Sequence, residues 1–354
     1  MIAYLRWVNR WLDVMVWSIP GRVIALAFIL SLFLAPIISQ HPYLLRVLTL
    51  TAIFSIYAVS WDLLAGFVGQ LNLGQGFFFA AGTYAAALIN KHLGVPPLVS
   101  IPIGAAASLV IGLIAGIPAL RLRGFYLGLV TLSFPIISNG IVFVFADFTG
   151  GEMGLFGVEG LSNSKVISYY IVLMVATCSI FIMYKLTDAD SKNLRTGIIF
   201  RAIREDEITA RTSGISTVRY KLLAFAVSGF FAGIAGGLYA HYIRIAGPST
   251  LEIFFSFQPI IWTTFGGTTT IYGPVAGVFI LFPLLELIRA NPTAEEIRYG
   301  VFALILIFTV LFMPDGIAIW VRDKIEIQCQ RCKVRNAITR QQCRACRAPL
   351  HLEN

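Results

Sequence analysis

The chain has 354 residues, of which 57% are apolar and only 13% charged, with a formal net charge of +9. A water-soluble domain carries about 25% charged residues, so this composition, with a mean hydropathy of +0.80, excludes an ordinary soluble enzyme. The basic residues sit in short stretches between apolar runs instead of one patch, which reads as membrane topology, and no nucleic-acid partner is expected.

A hydrocarbon core about 30 Å thick takes roughly 20 apolar residues per helix. Pro, Gly and charged residues punctuate the chain into about ten such runs, near 23–39, 45–66, 74–92, 99–119, 125–146, 166–186, 221–243, 255–268, 272–289 and 298–315. The fold class is therefore all-α, a polytopic transmembrane helical bundle in contact with membrane lipids. Arg6, Arg10 and Arg22 precede the first run without a clean small-x-small cleavage site, so residues 1–22 read as an arm before an uncleaved helix. Residues 23–316 form the membrane domain. Segments 74–92 and 255–268 are candidates for broken or re-entrant helices, because the first opens on Gly74 and Gly76 and the second ends at Gly266 and Gly267.

Orientation follows from Lys and Arg. The N-terminal arm, the Arg121/Arg123 hinge, the loop 187–220 and the tail 317–354 are basic, whereas loops around 40–44, 92–98, 147–165, 244–254 and 290–297 carry few such residues. The two sets alternate across the runs, which places both termini in the cytoplasm and the chain in the cytoplasmic (inner) membrane as a multi-pass protein. The glycines of 147–165 read as tight turns on the outer side.

Charged side chains are rare inside the runs. Asp62 would cost roughly 2.5–3.5 kcal/mol in lipid, so it either sits close to the interface or faces protein or a water-filled cavity, as a structural hydrogen-bond partner or lining a path. The block that follows combines Gly66, Gly69, Gly74 and Gly76 with the amides Gln70, Asn72 and Gln75. It reads equally as a broken element lining a translocation path or as tight helix packing. Phe77, Phe78 and Phe79 read as packing or lipid-facing. Cys178 reads as a small buried packing residue, and Glu286 with Arg289 at i+3 as a local ion pair.

The longest polar stretch inside the membrane domain contains Arg201, Ala202, Ile203, Arg204, Glu205, Asp206, Glu207, Ala210 and Gly214. Charges of both signs alternate with small apolar residues at helical spacing. The pattern predicts a short amphipathic helix, with Ile199, Ile203 and Ala210 along one face and Gly214 as its C′ residue. Such a helix suits a groove in a cytoplasmic partner; the bland alternative is a solvated loop whose charges enforce topology.

This run, from Arg195-Thr-Gly197 through Arg201–Glu207 and Gly214 to Arg219-Tyr-Lys221, resembles the permease signature of the branched-chain amino acid ABC importers, in particular their M-type subunit. Three further blocks match in order: Trp61 to Gly74 with Gly82-Thr-Tyr84, Gly229 to Tyr239, and Gly266-Gly267 to Tyr272-Gly273-Pro274 and Gly277. The resemblance covers about residues 25–315. It implies that the polar loop is the coupling helix that contacts an ATP-binding subunit. It also implies an H-type permease as heterodimer partner, two cytoplasmic ATP-binding subunits, an extracytoplasmic substrate-binding protein, and branched-chain or related amino acids as cargo. Two departures, Asp62 where the family often has Asn and Gln75 where His is common, weaken the transfer of the family's usual substrates.

No catalytic constellation is present, since His41, His92, His241 and His351 are scattered. No Walker-type Gly-x-x-x-x-Gly-Lys run occurs, so nucleotide is expected on another chain. The rival functions are an ion-coupled secondary transporter, for which charged groups near the bilayer midplane are expected, and a membrane sensor signalling through its tail.

That tail carries Cys329-Gln-Arg-Cys332 and, ten residues on, Cys343-Arg-Ala-Cys346. Two Cys-x-x-Cys knuckles bring four thiolates to one tetrahedral Zn²⁺, a small zinc-ribbon-like module. So short a segment buries too little to fold alone, so the metal would supply the folding free energy. Arg331, Lys333, Arg344 and Arg347 offset the thiolate charge. Iron and a pair of disulfides are the alternatives, the latter disfavoured in a reducing compartment. The M-type family does not generally carry this tail.

Overall fold

The computed structural model describes residues 20–119, 122, 124–188, 195–289, 297–332, 335–338, 340–343 and 345–350. Arg6, Arg10, Arg121, Arg123, Lys333, Arg344, His351, the stretch 189–194 of the polar loop and the loop 290–296 lie outside them. The chain divides into two compact units, one built from Met1–Gln40 with Ile317–Asn354, the other from His41–Gly316.

Each apolar run becomes a helix. In chain order these are α1 (Pro20–Ile38), α2 (Pro42–Asp62), α3 (Gln75–Leu93), α4 (Pro97–Ala119), α5 (Phe125–Val144) and α6 (Lys165–Thr187). The polar loop folds as α7 (Thr196–Glu205) and α8 (Glu207–Thr212), followed by α9 (Thr217–Ile243), α10 (Ile253–Gly266), α11 (Tyr272–Arg289) and α12 (Ile297–Phe312). Among the described residues, six helices are long and apolar enough to cross a membrane: α2 with its extension to Phe67, α4, α5, α6, α9 and α11. With 14 residues, α10 is about 21 Å long, shorter than the hydrocarbon core.

The axis of the larger unit is α2, which starts with Pro42 in its first turn, where a missing N–H costs nothing. It is buried almost throughout from Leu45 to Asp62 because α6, α9, α10 and α11 pack around it. Helices inside a membrane associate by close packing of small residues. Gly82 of α3 lies against Gly233 of α9 so tightly that a Cβ on Gly82 would overlap the Gly233 backbone. Likewise a Cβ on Gly277 of α11 would overlap the Trp262 carbonyl of α10, which closes the α10–α11 corner. Phe78 and Phe79 are buried and Phe77 half-buried, so this triplet packs between helices.

At one end of the unit, the glycine-rich stretch after α5 forms a helical turn at Ala146–Thr149, a 3₁₀ turn at Gly151–Met153 and β1 (Leu155–Phe156). β1 pairs antiparallel with β2 (Ile245–Ala246), with Leu155 opposite Ala246. Cys178 departs from expectation. The stripe Tyr169, Val172, Ala176, Ser179 and Met183 is the buried face of α6, which leaves Cys178 exposed.

In the smaller unit, α13 (Ile317–Ile325) leads into β3 (Glu326–Gln328), which pairs antiparallel with β4 (Arg335–Ala337), Ile327 opposite Asn336.

Candidate functional site

The charged loop is not the single helix its periodicity suggests. α7 buries Gly197, Phe200 and Ile203 and leaves Arg201, Arg204 and Glu205 exposed, with Ala202 half-buried. Asp206 then takes an extended conformation, φ −153°, which ends α7. Its carboxylate caps α8: Oδ1 accepts from the Ile208 N–H at 2.8 Å and the Thr209 N–H at 3.2 Å, and Oδ2 accepts from the Thr209 hydroxyl at 2.7 Å. The Thr209 hydroxyl and these N–H groups hold the Asp206 carboxyl below its ordinary value. The signal was in the sequence, an Asp three residues before a Thr, but lay inside a continuous apolar stripe.

α8 buries Ala210 and ends in a Schellman motif: the Gly214 N–H donates to the Arg211 carbonyl at 3.0 Å and the Ile215 N–H to the Ala210 carbonyl at 3.1 Å. Gly214 has φ +85°, which few other residues adopt, and is the C′ residue as expected. The half-buried Glu207 pairs with the Lys221 Nζ at 2.7 Å and with the exposed Arg211 at 3.1 Å. Lys221 is only 2% exposed, so α8 is tied by a buried ion pair to the start of α9.

Beneath α7, the Arg201 guanidinium stands 5.9 Å from the Phe67 ring centroid. Arg204 lies on Gly69, where an added Cβ would come within 3.2 Å of its Cγ, and its charge acts on Asp62. After Asp62, α2 widens into a π turn, Leu63–Phe67, and the Asp62 carboxylate lies over Gly66, where an added Cβ would overlap its Oδ1. Asp62 is wholly buried; its Oδ1 accepts from the Thr269 N–H at 3.0 Å, and no hydrogen bond reaches Oδ2 among the described residues. α7, the end of α2 and the α10–α11 turn thus meet near one carboxylate.

The polar block between α2 and α3 is an interlocked network. The Asn72 Nδ2 donates to the Gln75 Oε1 at 2.6 Å, and the Gly74 N–H to the Asn72 Oδ1 at 2.9 Å. The Gln75 Nε2 donates to the Ser60 hydroxyl at 2.9 Å and the Ser228 hydroxyl at 3.1 Å, joining α2 to α9. The Trp61 Nε1 donates to the Asn72 carbonyl at 2.6 Å. Asn72, Gly74 and Gln75 are therefore brought together and buried, Asp62 sits in its own contact with Thr269, and Gln70 is 8% exposed with Oε1 unbonded. Gly69 is exposed under Arg204.

In the tail, the Sγ atoms of Cys329, Cys332, Cys343 and Cys346 lie within 4.8 Å of one another, and none of the four is in a disulfide. Cys329 and Cys346 are 3.6 Å apart and Cys332 and Cys343 3.4 Å apart. A tetrahedron with metal–sulfur bonds of about 2.3 Å has edges of about 3.8 Å, so the four can hold one metal ion. Backbone N–H groups aim at the sulfurs: that of Cys346 pushes the Cys343 thiol down to about 6, and that of Cys332 lowers Cys329. The Asn336 Nδ2 donates to the Cys343 Sγ at 3.5 Å from β4.

Sequence reasoning missed a cavity of about 270 Å³ between α2, α9, α10 and α11. Its floor is aromatic, with Phe54 5.0 Å from Phe282 and 6.1 Å from Phe255 between ring centroids. Arg46, Glu252, Glu286 and Arg289 stand around it, and Glu286 pairs with Arg289 at 3.9 Å, as i, i+3 spacing suggests. Arg46 and Glu252 are far apart in sequence and lie at helix ends, where charge normally signals only the membrane boundary. His241, one of the four histidines scattered in the sequence, is buried, with Nε2 2.7 Å from the Ser100 hydroxyl and Nδ1 2.7 Å from the Glu159 carbonyl, and it fastens α9 to α4.

Comparison with protein families matches residues 43–310 to the branched-chain amino acid transport system / permease component. Among curated proteins, the high-affinity branched-chain amino acid transport system permease protein LivM of Salmonella typhimurium is 27% identical over 80% of this chain and 72% of its own length. The LivM of Escherichia coli K12 is 28% identical over 79% of this chain and 71% of its own. The probable branched-chain amino acid transport permease protein LivH of Methanocaldococcus jannaschii is 25% identical over 70% of this chain and 82% of its own. No solved structure gives a significant match. With its apolar helices and with three quarters of its length inside the match, the chain is a multi-pass membrane protein that belongs to the branched-chain amino acid transport permease family.

Proposed function

We infer that this chain is the M-type permease subunit of an ATP-driven importer for branched-chain or closely related amino acids. It forms a heterodimer with an H-type permease in the cytoplasmic membrane, takes substrate from an extracytoplasmic binding protein, and is driven by two ATP-binding subunits. Its termini and the α7–α8 pair face the cytoplasm. The observation that carries this reading is the α7–α8 handle. Arg201, Arg204 and Glu205 are presented outward, while Ile203 and Ala210 anchor the pair and Glu207 is bolted to the buried Lys221. Asp206 and Gly214 fix the two ends of α8. A partner that grips the exposed charges in one nucleotide state and not the other shifts the equilibrium between outward- and inward-open forms. The block Asp62, Gly69, Gln70, Asn72, Gly74 and Gln75 borders the path on the cytoplasmic side and transmits the displacement.

The four tail cysteines bind Zn²⁺, whose chemistry suits four thiolates at this spacing, and the ion holds the β3–β4 hairpin together. Nucleotide binding and hydrolysis reside on the partner chains.

The deciding experiment is co-purification with a nucleotide-binding subunit. A stable complex with the wild-type chain, lost on Arg204→Glu with Glu205→Arg, is expected. Uptake by the isolated chain driven by a proton or sodium gradient would instead establish the secondary transporter. For the tail, elemental analysis should find about one zinc per chain, and Cys343→Ser should release it; freshly reduced protein without metal would defeat the assignment.

A further inference from the structure

We propose that the cavity between α2, α9, α10 and α11 is a binding site for a zwitterionic amino acid on the extracytoplasmic side, an assignment that rests on the importer reading above. Its place follows from the helices themselves. Arg46 stands 16 residues before Asp62 on α2, about 24 Å along the axis, so the cavity lies at the end of the bundle opposite α7 and α8. α9 agrees, since it begins at Thr217 beside α8 and contributes Tyr239 and Ile243 to the cavity wall.

The chemistry of the lining matches the two halves of such a ligand. Two guanidiniums, Arg46 and Arg289, and two carboxylates, Glu252 and Glu286, stand around it, so the charges of the site sum to zero. An α-carboxylate is held by the guanidiniums and an α-ammonium by the carboxylates, as charge-assisted hydrogen bonds require. Neither Arg46 nor Glu252 has an ion-pair partner among the described residues, and the Glu286–Arg289 pair at 3.9 Å is long enough to exchange partners.

The remainder of the surface is apolar. Phe54, Phe255 and Phe282 with the aliphatic Leu50 form a floor that recognises a branched aliphatic side chain by burial, without directional bonds. A volume of about 270 Å³ lies just below the roughly 300–1,000 Å³ of pockets for drug-sized ligands and suits a small metabolite. Gln258 and Ser249 complete the rim.

The test uses the complete importer in proteoliposomes, with Gln258→Cys as reporter and Ser249→Cys as a second one. A membrane-impermeant methanethiosulfonate is added outside and modification is read by mass spectrometry of the reporter peptide, so the native cysteines do not interfere. Leucine is expected to slow modification at least fivefold. Isocaproate, which lacks the ammonium, and isoamylamine, which lacks the carboxylate, should change the rate less than twofold. Adding Arg46→Gln should abolish protection by leucine in complexes isolated as intact assemblies, and Arg46→Lys, which keeps the charge, should retain part of it.

A complex that imports leucine but whose reporters are modified at the same rate with and without it overturns the site and leaves the importer reading intact. So does equal protection by both half-ligands, or undiminished protection in Arg46→Gln. A wild-type complex that imports no amino acid despite ATP and loaded binding protein overturns the importer reading itself, and the site with it.

Discussion

Lys221→Met removes the charge that holds α8 while keeping most of the side chain's length. The Lys221 side chain is 3% exposed and its Nζ is 2.7 Å from Glu207. Deleting one partner of a buried pair costs about 3–5 kcal/mol, chiefly through the stranded charge. Here Arg211 remains on Glu207 at 3.1 Å, and the Glu207 side chain is 16% exposed, so part of that charge stays compensated. About 2–3 kcal/mol is a fair share, which raises the undocked population of α8 by roughly 30- to 150-fold. Trypsin cutting at Arg211 reads that population when opening is fast relative to cleavage. The variant should be cut faster by that factor, and in the assembled importer it should hydrolyse ATP with far less uptake per ATP. Glu207→Gln combined with Lys221→Met should recover much of the protection, because no charge is then left buried alone. A cleavage rate within threefold of wild type, with normal uptake per ATP, would refute the claim that this pair fastens the handle.

Gly82→Ala places a methyl group into the Gly233 backbone, so α3 and α9 must separate; a loss of about 1–3 kcal/mol is expected, read as a lower melting temperature of the purified chain. Gln75→Ala strips hydrogen bonds from Asn72, Ser60 and Ser228, all buried, and should cost about 1–3 kcal/mol in the same measurement, whereas Gln75→Glu should do no better. The Asp206 cap makes α8 sensitive to acid. Its native carboxyl is held below the ordinary value, so its contribution is fully present above about pH 4 and disappears as pH falls through the native value. Proteolysis at Arg211 by an acid-active protease or hydrogen exchange of α8 should show this loss, and Asp206→Asn should flatten it.

Element type was legible because apolar runs of about 20 residues have one solution in a membrane: each run, including 74–92 and 255–268, is a helix in the structure. The tail cysteines were legible because metal-ligand spacing is local, and the Schellman end at Gly214 because C′ glycine is local too. What failed was whatever depends on the third dimension. Cys178 is in a helix apolar all round, so periodicity does not say which side is covered, and α6 turns it outward. The break at Asp206 was hidden because a cap can lie between two stretches of the same apolar stripe. The cavity joins Arg46, Glu252 and Arg289 from separate helix ends, and no linear spacing marks their convergence.

Two rods, α2 and α9, run the length of the larger unit, and each has one end beside α7 or α8 and the other beside the aromatic chamber. α9 is the clearest: from Lys221 to Tyr239 it covers 18 residues, or about 27 Å. A tilt of about 5° pivoted at its lysine end would swing the tyrosine end by roughly 2 Å, enough to narrow or open a chamber only a few side chains wide. On the importer reading proposed above, no signal need be relayed residue by residue through the interior, since a stiff helix would deliver both the push and its geometric gain in one piece.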